Sequence, residues 1–419
     1  MADRRVVITG LGAMTPIGRT VDDAFENLFA GRGGVGPVTR FDTSRCPVRT
    51  AGEIRDFDPL RHGLSARDVR VLDRYQRYVL VAADAAVTDA RLDLPRNPIV
   101  SRHKSERRFH RYGAAIGMAF SSTEVLADQL TRLADKGTAG VSPRLFNMTL
   151  PNAGTSVLSV RFGLCGPLVT VSGASASGID SIIAGYDKIR HGRAEVMLAG
   201  GAESPITEIV VSGFARNHTG ARSGACRPFD RERDGTVLGE GAAVMVLEER
   251  EHALARGAVI RGEMLGCGMR GDAFDMSDIP PHDAPGMTAC LLEAVADAGI
   301  DPAEVGYLNV HGTATRANDP AEATAIRKVF GQHLDKLLVS GIKGATGHML
   351  GGSGAFETVV ALLASERDQV PPTYGLADPD PQCDLHHVMG RGVRATVPVA
   401  ISTSVGMGGN NSAVVVRGA

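Results

Sequence analysis

The chain has 419 residues, of which 43% are hydrophobic and 22% charged, and its formal charge is -2. This is the balance of a globular protein with a large core, and it excludes the concentrated basic charge of a nucleic-acid binder. Neither a membrane-length apolar run nor the long apolar segment of a signal peptide is present, so the expectation is a cytoplasmic protein with no membrane span.

Short β-branched runs alternate with longer helical patterns, which predicts an α/β protein with largely buried strands. Residues 6–9 read as a strand, and residues 22–30 and the alanine-rich 73–90 carry helical periodicity. The stretch 97–112 sets Arg102, His103, Lys104, Arg107, Arg108, His110 and Arg111 against Glu106. It reads either as a solvated loop or as a docking patch for an acidic partner. Strands follow at 113–119, 168–171, 194–201 and 241–248. The second half repeats the alternation. It has a strand at 260–268, a helix at 285–298, a strand at 306–311 ending in His311, a helix at 321–330, a strand at 337–342, a helix at 354–365, and terminal strands within 394–404 and 413–416. No linker separates the halves, so one compact body of two similar parts, 1–255 and 256–419, is expected.

The segment from Gly166 to Gly178 reads as a buried strand, a turn of small residues and a helix over 179–189. Ser175 lies on that turn, where a helix N-terminus favours an anion. A serine hydroxyl there is a poor nucleophile unless a base activates it. Two histidines also stand on glycine- and threonine-rich turns: His311 in Asn309-Val-His-Gly-Thr-Ala-Thr315, and His348, five residues after Lys343. The six cysteines show neither CxxC pairing nor metal-ligand spacing, so reduced thiols and no metal site are expected.

Taken together, these motifs resemble those of the β-ketoacyl-acyl carrier protein synthases, condensing enzymes of the thiolase superfamily. The resemblance covers essentially the whole chain. It rests on Val6 to Gly12 with Thr15-Pro-Ile-Gly18, Arg227 to Gly241, the His311 and Lys343/His348 motifs, and Ser404-Val-Gly-Met-Gly-Gly-Asn410. It is greatest towards the fatty-acid elongating synthases and the ketosynthase subunits of type II polyketide systems. The resemblance implies a five-layer αβαβα sandwich of two similar halves and a homodimer, or a heterodimer with a homologous chain-length subunit. It also implies decarboxylative Claisen condensation of malonyl and acyl groups on the phosphopantetheine of an acyl carrier protein, with no metal or other cofactor. By position, His311 and His348 would stabilise the enolate, Lys343 would set the charge of the site, and Glu357 would be its buried counter-charge. The backbone N–H groups of Ser175 and Met407 would bind an oxyanion, and Thr313 and Thr315 the phosphopantetheine arm.

Three departures from the family pattern stand out. Ser175 stands where the family has cysteine, and Met407 where most relatives have a phenylalanine that gates the acyl pocket. Met118 and Phe120 are bulky residues near the acyl pocket and dimer interface, and read either as core packing or as determinants of chain length. The serine leaves four readings open. They are a cysteine exchanged for serine in an otherwise complete enzyme, a natural serine that forms an oxyester, a malonyl decarboxylase that supplies primer, and a non-condensing chain-length partner.

Overall fold

The computed structural model describes residues 4–100, 105–280 and 283–419. The β-branched runs pair into one ten-stranded mixed sheet. In the first half the strands are β1 (Val6–Met14), β2 (Tyr112–Gly117), β3 (Leu168–Val171), β4 (Val196–Glu203) and β5 (Gly241–Glu249). In the second they are β6 (Gly262–Gly271), β7 (Val305–Asn309), β8 (Leu338–Ser340), β9 (Val399–Gly406) and β10 (Asn410–Gly418).

The order across the sheet is β8-β7-β9-β10-β6-β1-β5-β4-β2-β3. Read outward from β1, the first half runs β1-β5-β4-β2-β3, antiparallel at the first two steps and parallel at the last two. Read outward from β6, the second half runs β6-β10-β9-β7-β8 with the same directions. The two half-sheets join through Val6, Val7 and Ile8, which face Met264, Glu263 and Gly262.

Seven longer helices make the other layers: α1 (Arg74–Asp89), α2 (Thr123–Lys136), α3 (Ala153–Phe162), α4 (Ser177–Arg190), α5 (Pro285–Ala298), α6 (Asn318–Phe330) and α7 (Gly351–Arg367). Helices α4 and α7 pack on each other and on strands of both halves, so they form the central layer. Helices α1 and α3 cover the outer face of the first half-sheet; α5 covers that of the second, with α6 packed beside it. The thiolase-like five-layer sandwich is therefore present. Its core is divided accordingly: Ile179, Ile182, Phe356 and Val360 fill the centre, Tyr75, Val79 and Leu158 pack under α1 and α3, and Leu291, Ile326 and Leu308 pack under α5 and α6.

Asp73 starts α1 with a capping box, its carboxylate taking the Tyr75 N–H while Gln76 reaches back to the Asp73 N–H. Several elements depart from their sequence reading. Strand β7 ends at Asn309, so His311 stands two residues beyond it in a loop. Helix α7 begins three residues earlier than expected, and its first turn lies against the His348 loop. Residues 393–394 pair with 369–370 in a separate ribbon, outside β9. Among the described residues no helix is long and apolar enough to cross a membrane, and no cluster of His, Cys, Asp and Glu is arranged to hold a metal ion.

Candidate active site

Ser175 stands on the tight turn between β3 and α4. Ala174 before it has φ 52°, a left-handed conformation that costs a residue with a Cβ about 1 kcal/mol and persists only where neighbours enforce it. Here the Gly173 N–H donates to Ser177 Oγ at 2.9 Å, and that hydroxyl donates to the Ala174 carbonyl at 2.6 Å. From the other half, Gly406 presses on the turn so closely that a Cβ there would lie 2.3 Å from the Gly173 carbonyl. Ser404 Oγ donates to the Ser175 carbonyl at 3.1 Å.

Ser175 Oγ lies 2.7 Å from His348 Nε2. On the far side of that ring, Nδ1 faces the Leu350 N–H at 3.3 Å and Ser353 Oγ at 3.0 Å. A backbone N–H can only donate, so Nδ1 accepts and the neutral ring carries its proton on Nε2. The hydrogen bond therefore runs from His348 to Ser175 Oγ. His311 stands edge-on to His348, with ring centroids 5.4 Å apart and planes at 81°. Its Nδ1 is 3.5 Å from Ser404 Oγ. Both imidazoles are held well below the ordinary histidine pKa, first by burial and then by the Lys343 cation; for His311 the other ring adds to this. The pair is thus neutral.

Lys343 is fully buried, and its ammonium donates to the His311 carbonyl and, at 2.5 Å, to Glu357 Oε1. Burial pushes the Glu357 carboxyl up to about 6, with Lys343 pulling it down. Glu322 on α6, which sequence reasoning missed, anchors the other histidine. It takes the His311 N–H at 2.7 Å, the Gly312 N–H at 2.9 Å and the Thr403 hydroxyl at 3.0 Å. Its one sequence signal is its place among Ala321, Ala323 and Ala325 on a helix face, where a solvated carboxylate does not belong.

The segment 227–241 holds both histidine loops. The His348 N–H donates to the Val237 carbonyl at 2.6 Å, and the Gly239 N–H donates to that of His348 at 2.8 Å. The Gly235 N–H donates to the Ala314 carbonyl at 3.0 Å, and Arg233 reaches the Thr315 carbonyl at 3.2 Å while pairing with Asp380 at 2.6 Å. The Thr313 and Thr315 hydroxyls lie 3.1 Å apart on the turn after His311.

Ser175, His311, His348, Lys343 and Glu357 thus converge on one site. Met407 follows Gly406 at the edge of the nucleophile turn and is 43% exposed. The two bulky residues after β2 part company. Met118 is buried in the core that also holds Tyr75, whereas Phe120 is 49% exposed. Phe120 lies on a loop fixed by the buried Glu203, which accepts the N–H groups of Ala119, Phe120 and Ser121. Of the basic stretch, Arg102, His103 and Lys104 lie outside the described residues. Arg107 pairs with Asp93 at 3.0 Å and Arg111 with Glu195 at 3.2 Å.

Known proteins match this chain along its length. Residues 3–253 match the family model described as Beta-ketoacyl synthase, N-terminal domain, and residues 261–377 match Beta-ketoacyl synthase, C-terminal domain. The chain is 40% identical to a 3-oxoacyl-[acyl-carrier-protein] synthase 2 of Synechocystis sp., over 97% of this chain and 96% of that one. It superimposes on the ishigamide ketosynthase/chain length factor with a TM-score of 0.89 at 32% identity, covering 99% of each chain. It also superimposes on a type II PKS ketosynthase solved in complex with its acyl-carrier protein, with a TM-score of 0.87 at 29% identity and all of both chains covered. Matched across both halves and along its full length, the chain belongs to the beta-ketoacyl synthase family of acyltransferases.

Proposed function

We propose that this chain is a ketosynthase subunit of a type II fatty acid or polyketide system, with Ser175 as its acyl-accepting group. The observation that carries this reading is a neutral, buried His348 on the Ser175 hydroxyl, with the neutral, buried His311 edge-on beside it. Malonyl thioester loses carbon dioxide, and the electron pair of the broken C–C bond moves to the thioester oxygen. A site lined by His311 and His348 meets that charge with donors already in place, which is worth more in a buried pocket than in water. The enolate carbon then attacks the acyl carbonyl on residue 175, and the C–O bond to the serine breaks as the serine oxygen takes up a proton from solvent. Nothing in this balance is oxidised or reduced, so the reaction as written uses no redox cofactor.

The first half, residues 1–255, supplies the acyl acceptor, and the second, 256–419, supplies both histidines. The pressing of Gly406 on the Ser175 turn supports an oxyanion site made by the N–H groups of Ser175 and Met407. Thr313 and Thr315 would meet the phosphopantetheine arm of the acyl carrier protein, and Met407 and Phe120 would bound the acyl chain. All six cysteines are free thiols, in keeping with a cytoplasmic setting.

One observation favours a second reading, a malonyl decarboxylase that supplies primer. His348 donates to Ser175 and does not take its proton, so decarboxylation is better served than oxyester formation. A purely non-condensing chain-length partner would have no use for the intact histidines, Lys343 and Glu357. Carbon dioxide release from malonyl-acyl carrier protein tests the reading. His311→Ala should slow it about 100-fold, the usual cost of losing one oxyanion donor; an unchanged rate contradicts the assignment.

A further inference from the structure

We propose that Glu203 is a positioning residue that ties the Phe120 loop to the His348 loop. One buried carboxylate then sets both the wall that meets the acyl chain and the ring that meets the enolate. Glu203 ends β4 and is fully buried. Its carboxylate is met by main-chain donors from two separate loops. From the loop after β2, the Ala119 N–H donates to Oε2 at 2.6 Å, and the N–H groups of Phe120 and Ser121 donate to Oε1 at 3.2 and 3.1 Å. From the other side comes the Gly351 N–H, at the start of α7 and three residues after His348.

Both loops are strained where they reach the carboxylate. Ser121 has φ 62°, and Leu350, immediately before Gly351, has φ 46°. Residues with a Cβ hold such conformations only where their surroundings over-determine them, and four N–H groups converging on one carboxylate do so. The contact has no slack. A Cβ on Gly351 would lie 2.6 Å from Met118 Cα, and one on Gly201 would lie 2.0 Å from the Gly351 carbonyl. Leu350 in turn points its N–H at His348 Nδ1, 3.3 Å away. A continuous series of contacts thus runs from Phe120 through Glu203, Gly351 and Leu350 to the His348 ring. Only a carboxylate accepts at both oxygens; an amide of the same shape would turn donors towards one of the two loops. A loop so released would let the Phe120 wall recede and the His348 ring drift.

Two measurements on the full chain test this. In the unmodified protein, hydrogen exchange should show the amides of Ala119, Ser121 and Gly351 opening together, as members of one cooperative unit do. Protection of Gly351 that differs more than about tenfold from that of Ala119 and Ser121 overturns the proposal. In a Ser175→Cys background, acetyl- and dodecanoyl-pantetheine then compete for the thiol, and intact mass reads the product ratio. Glu203→Gln should shift that ratio about tenfold towards the longer chain, the order of effect of leaving one buried N–H unpaired. It should also slow carbon dioxide release from malonyl-acyl carrier protein. Glu248→Gln disturbs another buried carboxylate, bound to Thr9, His252 and Arg256 on β5. It should lower the thermal midpoint and leave the ratio unchanged. An unchanged ratio in Glu203→Gln, or the same shift in Glu248→Gln, overturns the proposal. If Glu203→Gln does not fold, the exchange pattern decides it alone. Only the competition rests on residue 175 being the acyl acceptor. If the amides open together but the Ser175→Cys thiol takes no acyl group, the acyl-acceptor reading fails and the coupling stands.

Discussion

Lys343 joins the two imidazoles electrostatically: it caps the His311 carbonyl, pairs with Glu357 and depresses both ring pKa values. Removing it leaves Glu357 buried without its cation, and breaking one side of such a pair costs about 3–5 kcal/mol. Lys343→Met should therefore lower the thermal midpoint. It should also raise the pKa of both histidines, since the cation that lowered them is gone. Ring NMR shifts at about pH 6 read this directly: both rings neutral in the unmodified protein, and shifted towards imidazolium in the variant. The sign follows from linkage: a histidine kept neutral in the fold weakens stability as pH falls below its ordinary value, because the unfolded chain then binds the proton and the fold does not. At this scale the sequence displayed Ser175, His311, Lys343 and His348, because nucleophile and base types on glycine turns are rare enough to notice. The partners of Glu322, Ser353 and Ser404 were not legible, although the alanines around Glu322 mark it as out of place. A carboxylate or hydroxyl on a helix or strand says nothing of the ring it will meet from another element.

The contact of α4 with α7 decides whether the two halves of the site meet. Gly178 lies at this crossing, where a Cβ would sit 2.6 Å from both the Ala355 nitrogen and the Gly351 carbonyl. Main chain cannot yield as a flexible side chain can. Gly178→Ala should destabilise by about 1–3 kcal/mol, the range of core overpacking, and separate Ser175 from His348. Thermal unfolding and carbon dioxide release should fall together, and an unperturbed midpoint contradicts this packing. The alternation of strands and helices was legible because both periods repeat along the chain. Helix α3, with Gly154 and the β-branched Thr155, Val157 and Val160, was not, since its helicity comes from tertiary packing and not from propensity. Strand β1 runs on through Gly10 and Gly12 to Met14, beyond the expected 6–9. Gly12 is there because a Cβ would lie 1.9 Å from the Ala82 carbonyl of α1.

Over the whole molecule, one strand order occurs twice, and each copy contributes half of the site. The single chain also leaves apolar surface uncovered. Leu126, Leu130 and Leu133 form a stripe along α2, Phe120 and Phe146 are exposed nearby in sequence, and β3 is an open sheet edge among the described residues. Exposed stripes and open edges of this kind mark association surfaces, and we propose a second ketosynthase-type chain as their cover. Sedimentation should give at least twice the single-chain mass; a monomer at micromolar concentration contradicts it. The sequence carried the duplication as a weak echo in its alternating pattern. The open edge and leucine stripe became visible only once the neighbours of each strand and helix were known.

The most direct test restores the thiol. Unmodified protein and Ser175→Cys are each given acyl- and malonyl-acyl carrier protein, and carbon dioxide and β-ketoacyl product are measured side by side. The account predicts carbon dioxide from both, with product forming much faster in the cysteine form, because the enolate machinery is complete and the hydroxyl is the slow acyl acceptor. Absence of carbon dioxide from both forms would contradict it.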